Sequence, residues 1–258
     1  MLNYKKILFL NLLIFIFLRE VAGSSGGNWS YMEYGGTKKW KYTFHTCTGK
    51  KQSPVDIITA LTFNKNYGPM EIVNYDEASA QILLTNAGTT VVADLHKDPK
   101  AKISGAGLPS VYFAHSFHFH WGSGDGFGSE HFKDGTSFPM EMHIVHYSST
   151  YSNLEEAAHQ PEGLAVLGFF FTISTVNNTI LQGIIEKFPM IKAVGSNAKV
   201  DAQLGMLIPK DITKYYRYSG SLTTPPCSET VIWTIFESTI SVSSLQVNFL
   251  HPHLFIDR

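Results

Sequence analysis

From about Gln81 onward the chain runs in short stretches of β-branched and aromatic residues, interrupted by glycine, proline or asparagine. QILLTN (81–86), TTVVADL (89–95), VYFAHSFHFHW (111–121), MEMHIVHY (140–147), LAVLGFFFTIS (164–174) and TVIWTIFES (230–238) each have strand length and strand composition. Helical signals are few. SNLEEAAHQ opens on a cap-like Ser152 and stops before Pro161, and TILQGIIEKF spaces Ile180, Ile184 and Phe188 four apart ahead of Pro189. The pattern predicts a mainly β protein, a single domain with short peripheral helices.

Successive side chains of a strand point to opposite faces. Strict alternation therefore puts Val111, Phe113, Phe117, Phe119 and Trp121 on one face, and Tyr112, Ala114, Ser116, His118 and His120 on the other. In the same way Glu141, His143 and Val145 share a face, opposite Met142, Ile144 and His146. Three imidazoles on adjacent strands can supply the three-histidine set of a catalytic zinc site with a fourth position for water. A carboxylate such as Glu141 suits the second ring nitrogen of a ligand. The spacing alone leaves two other readings open: polar residues on a half-buried strand face, and an iron or manganese barrel oxygenase.

Composition narrows the class. The 258 residues, 44% of them hydrophobic, suit one large core, and no linker, charge block or repeat divides them. A formal net charge of −1 gives no electrostatic reason to expect nucleic acid or an anionic membrane as partner. Lys38, Lys39 and Lys41 read as a solvated loop face. The opening residues join a basic Lys5-Lys6 pair to an apolar stretch, Ile7 to Leu18, and then to the small residues Ala22, Gly23 and Ser24. This predicts a signal peptide over 1–23 and a secreted domain over 24–258, a retained signal anchor being the alternative. The C-terminal HPHLFIDR has no hydrophobic lipid-anchor tail. In an oxidising compartment the isolated pair Cys47 and Cys227 is expected to bridge, although two buried thiols stay possible. Asn28 and Asn177 head N-glycosylation acceptor patterns.

Six motifs in order, QSPVDI (52–57), FHFHWG (117–122), GSEH (128–131), EMHIVH (141–146), GLAVLG (163–168) and GSLTTPPCSETVIW (220–233), make the chain from Trp29 to about Asn248 resemble the α-class carbonic anhydrases. The resemblance implies a twisted, mostly antiparallel sheet of about ten strands with zinc at the bottom of a conical cleft. It implies His118, His120 and His143 as zinc ligands, Thr223 as the acceptor that orients zinc-bound hydroxide, and Glu130 as the carboxylate that takes the threonine's proton. Thr224 matches a position beside bicarbonate, and Val145, Val166, Leu222 and Trp233 match the apolar wall for CO₂. Glu141 matches the partner of His143, and Asn248 the residue whose backbone carbonyl serves the second ligand. His131 and His146 match histidines to which no chemistry is assigned. Cys47 and Cys227 fall where secreted members carry their disulfide. The implied reaction is reversible hydration of CO₂ to bicarbonate and a proton, with no identified protein partner. A noncatalytic binding module of the same family is the competing reading, as is an enzyme built into an extracellular matrix assembly.

The resemblance also exposes departures. The proton-shuttle histidine of fast members has Gly88 at its place in the ungapped alignment, or Thr89 after a shift of one. A group of pKa 7 releasing protons to water turns over at only about 10³ s⁻¹, against about 10⁶ s⁻¹ for the fastest zinc hydration. The expected enzyme therefore depends on external buffer. Tyr31 and Asn86 match positions that order cleft water, and Val91 replaces a commonly polar residue. Ser116 stands where glutamine usually supports the first ligand, and the final strand lacks its usual sequence. His251 and His253 read as solvated.

Overall fold

The computed structural model describes residues 29, 31, 36–76, 81–95 and 101–250. The expected signal segment, Asn28, His251 and His253 lie outside the described residues. Thirteen strands are present among the described residues. They are β1 (Asp56–Ile57), β2 (Met70–Val73), β3 (Gln81–Asn86), β4 (Val91–Asp94), β5 (Lys102–Gly105), β6 (Tyr112–Trp121) and β7 (Phe132–Lys133), followed by β8 (Met140–Ser148), β9 (Leu164–Ser174), β10 (Asn197–Asp201), β11 (Tyr215–Gly220), β12 (Val231–Phe236) and β13 (Ile240–Ser243).

Eleven strands form one sheet, whose main path runs β10-β3-β4-β6-β8-β9-β12-β11, and β1 pairs with β7 apart from it. Most ladders are antiparallel, but β9 runs parallel to both β12 and β13, so the sheet is mixed. The molecule is mainly β with few short helices, as expected. Apolar side chains divide between the two faces. Phe117, Phe119, Met140, Met142, Ile144, Leu167, Phe169 and Phe171 belong to the larger core. Val166, Phe170, Trp233 and Ile235 centre a second cluster, with Val145 and Leu222 packed against it.

Three expectations are corrected here. Strict alternation fails in β6, where the register against β8 slips between Ala114 and Ser116. The extra residue, His115, reverses the parity of everything before it. Tyr112 and Ala114 consequently join the larger core with Phe117 and Phe119 instead of sharing a face with His118. Next, no final strand forms around Asn248; Ser244–Leu250 is a helix, on which Asn248 is exposed. The reason is a capping box: Ser243 Oγ accepts the Gln246 N–H at 3.1 Å, and Gln246 Oε1 accepts the Ser243 N–H at 3.2 Å. Finally, Lys38, Lys39 and Lys41 are solvated, but on the helix Thr37–Thr43 around buried Trp40, not on a loop.

The two expected helices are present as Leu154–Ala158 and Thr179–Ile185. Asn153, not Ser152, caps the first, and Asn178 caps the second. Cys47 and Cys227 form the expected disulfide.

Candidate metal centre

Strand register assembles the site. Directly opposed residues of neighbouring strands share a face, so one row across the sheet reads Val92, His118, His143, Gly168, Ile235. The next row reads Asp94, Ser116, Val145, Val166, Trp233, Tyr218. His120 stands opposite Glu141 on the other side of the first row. The sequence predicts that His118 and His120 share a face of one strand, and the structure brings both together with His143. Ring nitrogens of the three lie within 4.8 Å of one another. His120 Nε2 and His143 Nδ1 are 3.1 Å apart.

Hydrogen bonds behind the histidines fix which atoms converge. Glu141 is fully buried, and its carboxylate accepts four hydrogen bonds. Oε1 takes the His143 Nε2–H at 2.8 Å and the His131 Nδ1–H at 2.6 Å, while Oε2 takes the backbone N–H groups of Glu130 and His131 at 2.9 Å each. With its Nε2 proton committed, His143 presents the lone pair of Nδ1 to the centre. Burial would raise the Glu141 carboxyl, but the two histidines outweigh it and hold the group well below the ordinary range. Burial, with His143 nearby, pushes His118 down to about 3; burial and the neighbouring imidazoles likewise lower His120, and burial lowers His143. All three rings are therefore neutral at physiological pH. Three converging neutral imidazoles with a buried carboxylate behind one of them match a divalent cation that accepts nitrogen ligands.

The same carboxylate positions the GSEH turn and so Glu130, whose side chain is 12% exposed. Glu130 Oε2 lies 3.3 Å from His120 Nε2 and has no hydrogen-bond partner among the described residues. The hydroxyls of Thr223 and Tyr31 hydrogen-bond to this carboxyl group. Burial, then the Glu141 charge, raises its pKa, and the two hydroxyl bonds only partly oppose them. An orphaned acceptor oxygen beside three lone-pair donors is an arrangement that a cation would stabilise.

His131 does more than the sequence reading allowed. Its Nε2 accepts from Tyr218 Oη at 2.6 Å, and Tyr218 Oη is 2.8 Å from Ser53 Oγ. Ser53 and Ser221 exchange bonds, Ser53 N–H to Ser221 Oγ at 2.9 Å and Ser221 N–H to Ser53 Oγ at 3.1 Å. Trp233 Nε1–H also donates to the Ser221 carbonyl at 3.0 Å. This chain runs from the carboxylate behind His143 to the residue two before Thr223. The alternation of QSP, YRYSGS and GSEH gives no hint of it, because the three stretches are far apart in sequence.

The remaining expected residues take varied places. Val145, Val166 and Trp233 form one continuous row, with Leu222 on the same cluster; Val166 and Trp233 are 2% exposed. Thr224 accepts the Cys227 N–H through its carbonyl, closing the turn after Thr223. Ser116 is buried, but its hydroxyl lies 3.3 Å from Nδ1 of His115, not on His118. Asn248, on its exposed helix face, makes no hydrogen bond to His120 among the described residues. Asn86 is fully buried: Nδ2 donates to the Ile191 and Lys192 carbonyls and Oδ1 accepts the Gly88 N–H. Val91 packs in the larger core, and Val92 is the residue on the histidine face.

The eukaryotic-type carbonic anhydrase family matches residues 35–257. Carbonic anhydrase 6 of Mus musculus is 37% identical over 227 residues, which is 85% of this chain and 71% of the relative. Carbonic anhydrase 12 of Homo sapiens is 35% identical over 252 residues, 94% of this chain and 70% of the relative. Carbonic anhydrase 6 of Bos taurus is 33% identical over 245 residues, 93% of this chain and 76% of the relative. A fold, a three-histidine centre and a family match over most of the chain converge: this protein belongs to the eukaryotic-type carbonic anhydrase family of carbonate dehydratases.

Proposed function

We propose that this chain is a secreted, zinc-dependent enzyme that interconverts CO₂ and bicarbonate and hands its proton to external buffer. The observation that carries the reading is the convergence of three neutral imidazoles around a centre whose carboxylate, Glu130, receives the Thr223 hydroxyl. His118, His120 and His143 would hold the ion. Zinc, when bound, makes water acidic enough to supply hydroxide near pH 7.

The chain's own residues then decide what happens to that hydroxide. Thr223 donates its hydroxyl hydrogen bond to Glu130, so toward the centre it can only accept, and it would orient an O–H group held there. CO₂ has no net charge and few polar handles, and the row Val145, Val166, Trp233 with Leu222 offers it an apolar rest. Thr224 stands beside the departing bicarbonate. Neither Gly88 nor Thr89 can carry a proton, so buffer molecules must remove it.

Secretion is supported by the N-terminal leader pattern and by the Cys47–Cys227 disulfide, which persists in oxidising compartments. No helix among the described residues is long and apolar enough to cross a membrane.

The test is stopped-flow CO₂ hydration on purified protein of known zinc content, with buffer varied from dilute to concentrated. Turnover should vanish on zinc removal, return on zinc addition and rise with buffer. A rate near 10⁶ s⁻¹ in very dilute buffer would overturn the buffer route. Full zinc without hydration at any buffer would overturn the enzymatic reading in favour of a binding module.

A further inference from the structure

We propose that Asn177 carries an N-linked glycan and that this glycan shields the apolar side chains exposed near it, where residues 177–178 are bonded to residues 243–246. The proposal rests on the secreted reading above. The acceptor sequence Asn177-Asn178-Thr179 occupies the connection between β9 and the helix Thr179–Ile185, and no proline occupies the middle position or follows. Asn177 and Thr179 are both exposed.

The two asparagines are used differently. Asn178 is committed: its Oδ1 caps the helix through the Ile180 and Leu181 N–H groups, and its Nδ2 donates to the Ser241 carbonyl. Asn177 uses only its oxygen, which accepts from Ser243 Oγ at 2.6 Å. Its Nδ2, the atom that is glycosylated, makes no hydrogen bond among the described residues. An N-linked sugar keeps the amide oxygen, so modification and the Ser243 bond are compatible.

The surroundings supply a reason for the sugar. Residues 177–178 are stitched to 243–246 by the Ser243 bond and by paired bonds between Asn178 and Gln246, N–H to Oε1 at 2.9 Å and Nε2–H to carbonyl at 2.8 Å. Parallel pairing sets Val242 beside Ile173 at the same edge. Ile173, Val176 and Leu245 are 42%, 69% and 75% exposed on the segments so joined. Exposed apolar side chains invite association, and a bulky, strongly hydrated glycan rooted at Asn177, next to Val176 in the chain and bonded through Ser243 to the segment that carries Leu245, would hinder it.

The covalent step needs a lipid diphosphate-linked oligosaccharide as donor. The bond from the sugar's C1 to the diphosphate oxygen breaks, the Nδ2–C1 bond forms, and the Nδ2 proton leaves as the lipid diphosphate departs.

The full chain, secreted by eukaryotic cells, is treated with an amidase that releases N-glycans and leaves aspartate at each carrier asparagine. Peptide mapping should find Asp at 177. Thr179→Ala removes the acceptor pattern yet keeps the Asn177–Ser243 bond. It should bind an apolar fluorescent dye several-fold more strongly and aggregate sooner than wild type, with CO₂ hydration unchanged. Disulfide-bonded protein recovered from the medium with unmodified Asn177 would overturn the site. A glycan whose loss leaves dye binding and aggregation unaltered would overturn its covering role. Protein retained in the cell with alkylatable Cys47 and Cys227 would overturn the secreted reading and this proposal together.

Discussion

Glu141 is the residue on which most of the centre depends, because one buried carboxylate holds His143, His131 and the turn that carries Glu130. Glu141→Gln preserves shape but replaces an acceptor oxygen by an N–H₂ group, and every partner around it is already a donor. Two donors then face each other in a dry site, and His143 loses the bond that selects its tautomer. Zinc affinity should fall by about 10–100-fold, measured by competition with a chelator on the folded variant. Unaltered affinity would mean that the ring is held by packing against Trp233, whose centroid is 4.8 Å away. Gly168 makes the same point through space. It stands opposite His143, and a Cβ there would lie 2.5 Å from Ile235 Cδ1 and 3.4 Å from Glu141 Oε1. Gly168→Val should therefore weaken zinc binding as well as lower the melting temperature. The pairing of Glu141 with His143 was legible in the motif EMH, since both lie two apart on one strand face. The fourfold use of the carboxylate was not, because two of its donors are backbone amides of a distant turn.

At the scale of elements, the strands were legible wherever hydrophobic runs were long, and the errors have local causes. A single inserted residue at His115 inverted the faces of the first half of β6, and alternation carries no mark of a bulge. The capping box Ser243-Ser244-Leu245-Gln246 was present in the sequence as a helix start, yet the family's final strand was expected over it. β2, β5, β10, β11 and β13 were missed because they are short or half polar, and their pairing comes from neighbours and not from their own pattern. The turn after β11 shows how elements meet at the site. It is tied to the N-terminal segment by the disulfide, by Gln52 Nε2–H to the Cys227 carbonyl at 3.2 Å and by Thr46 to Pro226. Replacing Cys47 and Cys227 by serine frees a closed loop whose ends are 180 residues apart, for which chain entropy gives roughly 5 kcal/mol or less. Urea unfolding should register that loss. Zinc content should remain full, because the ligands stand on β6 and β8, while turnover falls as Thr223 loses its anchorage. Loss of zinc in the folded variant would show that the turn supports the ligands themselves.

For the whole molecule, the buried histidines set a lower limit of pH. His146 is fully buried outside the metal centre, between Tyr75 and the strand β9. Its Nδ1–H donates to the Ala165 carbonyl at 3.2 Å and its Nε2 accepts the Tyr75 hydroxyl, so the fold uses the neutral ring on both sides. Burial brings its pKa down from 6.5 to about 4, against which the backbone bonds pull only weakly. Protonation is thus easier in the unfolded chain than in the folded one. The unfolded state binds more protons between these values, and stability rises with pH across them. The contribution is complete above about pH 6.5, declines as pH falls, and is lost once pH passes about 4. The interval corresponds to roughly 3 kcal/mol for this one group. Tyr75→Phe removes the hydroxyl that Nε2 accepts, leaves a buried lone pair unsatisfied, and should lower stability at neutral pH. Its unfolding free energy should still fall with acid over the same interval, because burial, the larger cause, persists. Urea titrations of the zinc-free protein from pH 7 to pH 4 exclude metal loss, and because His118, His120 and His143 are also lowered by burial, the His146 share is the part of the slope that His146→Gln removes. A slope unchanged in that variant would mean that His146 is as readily protonated folded as unfolded, and the acid lability would then originate at the other buried histidines and the Glu141 network.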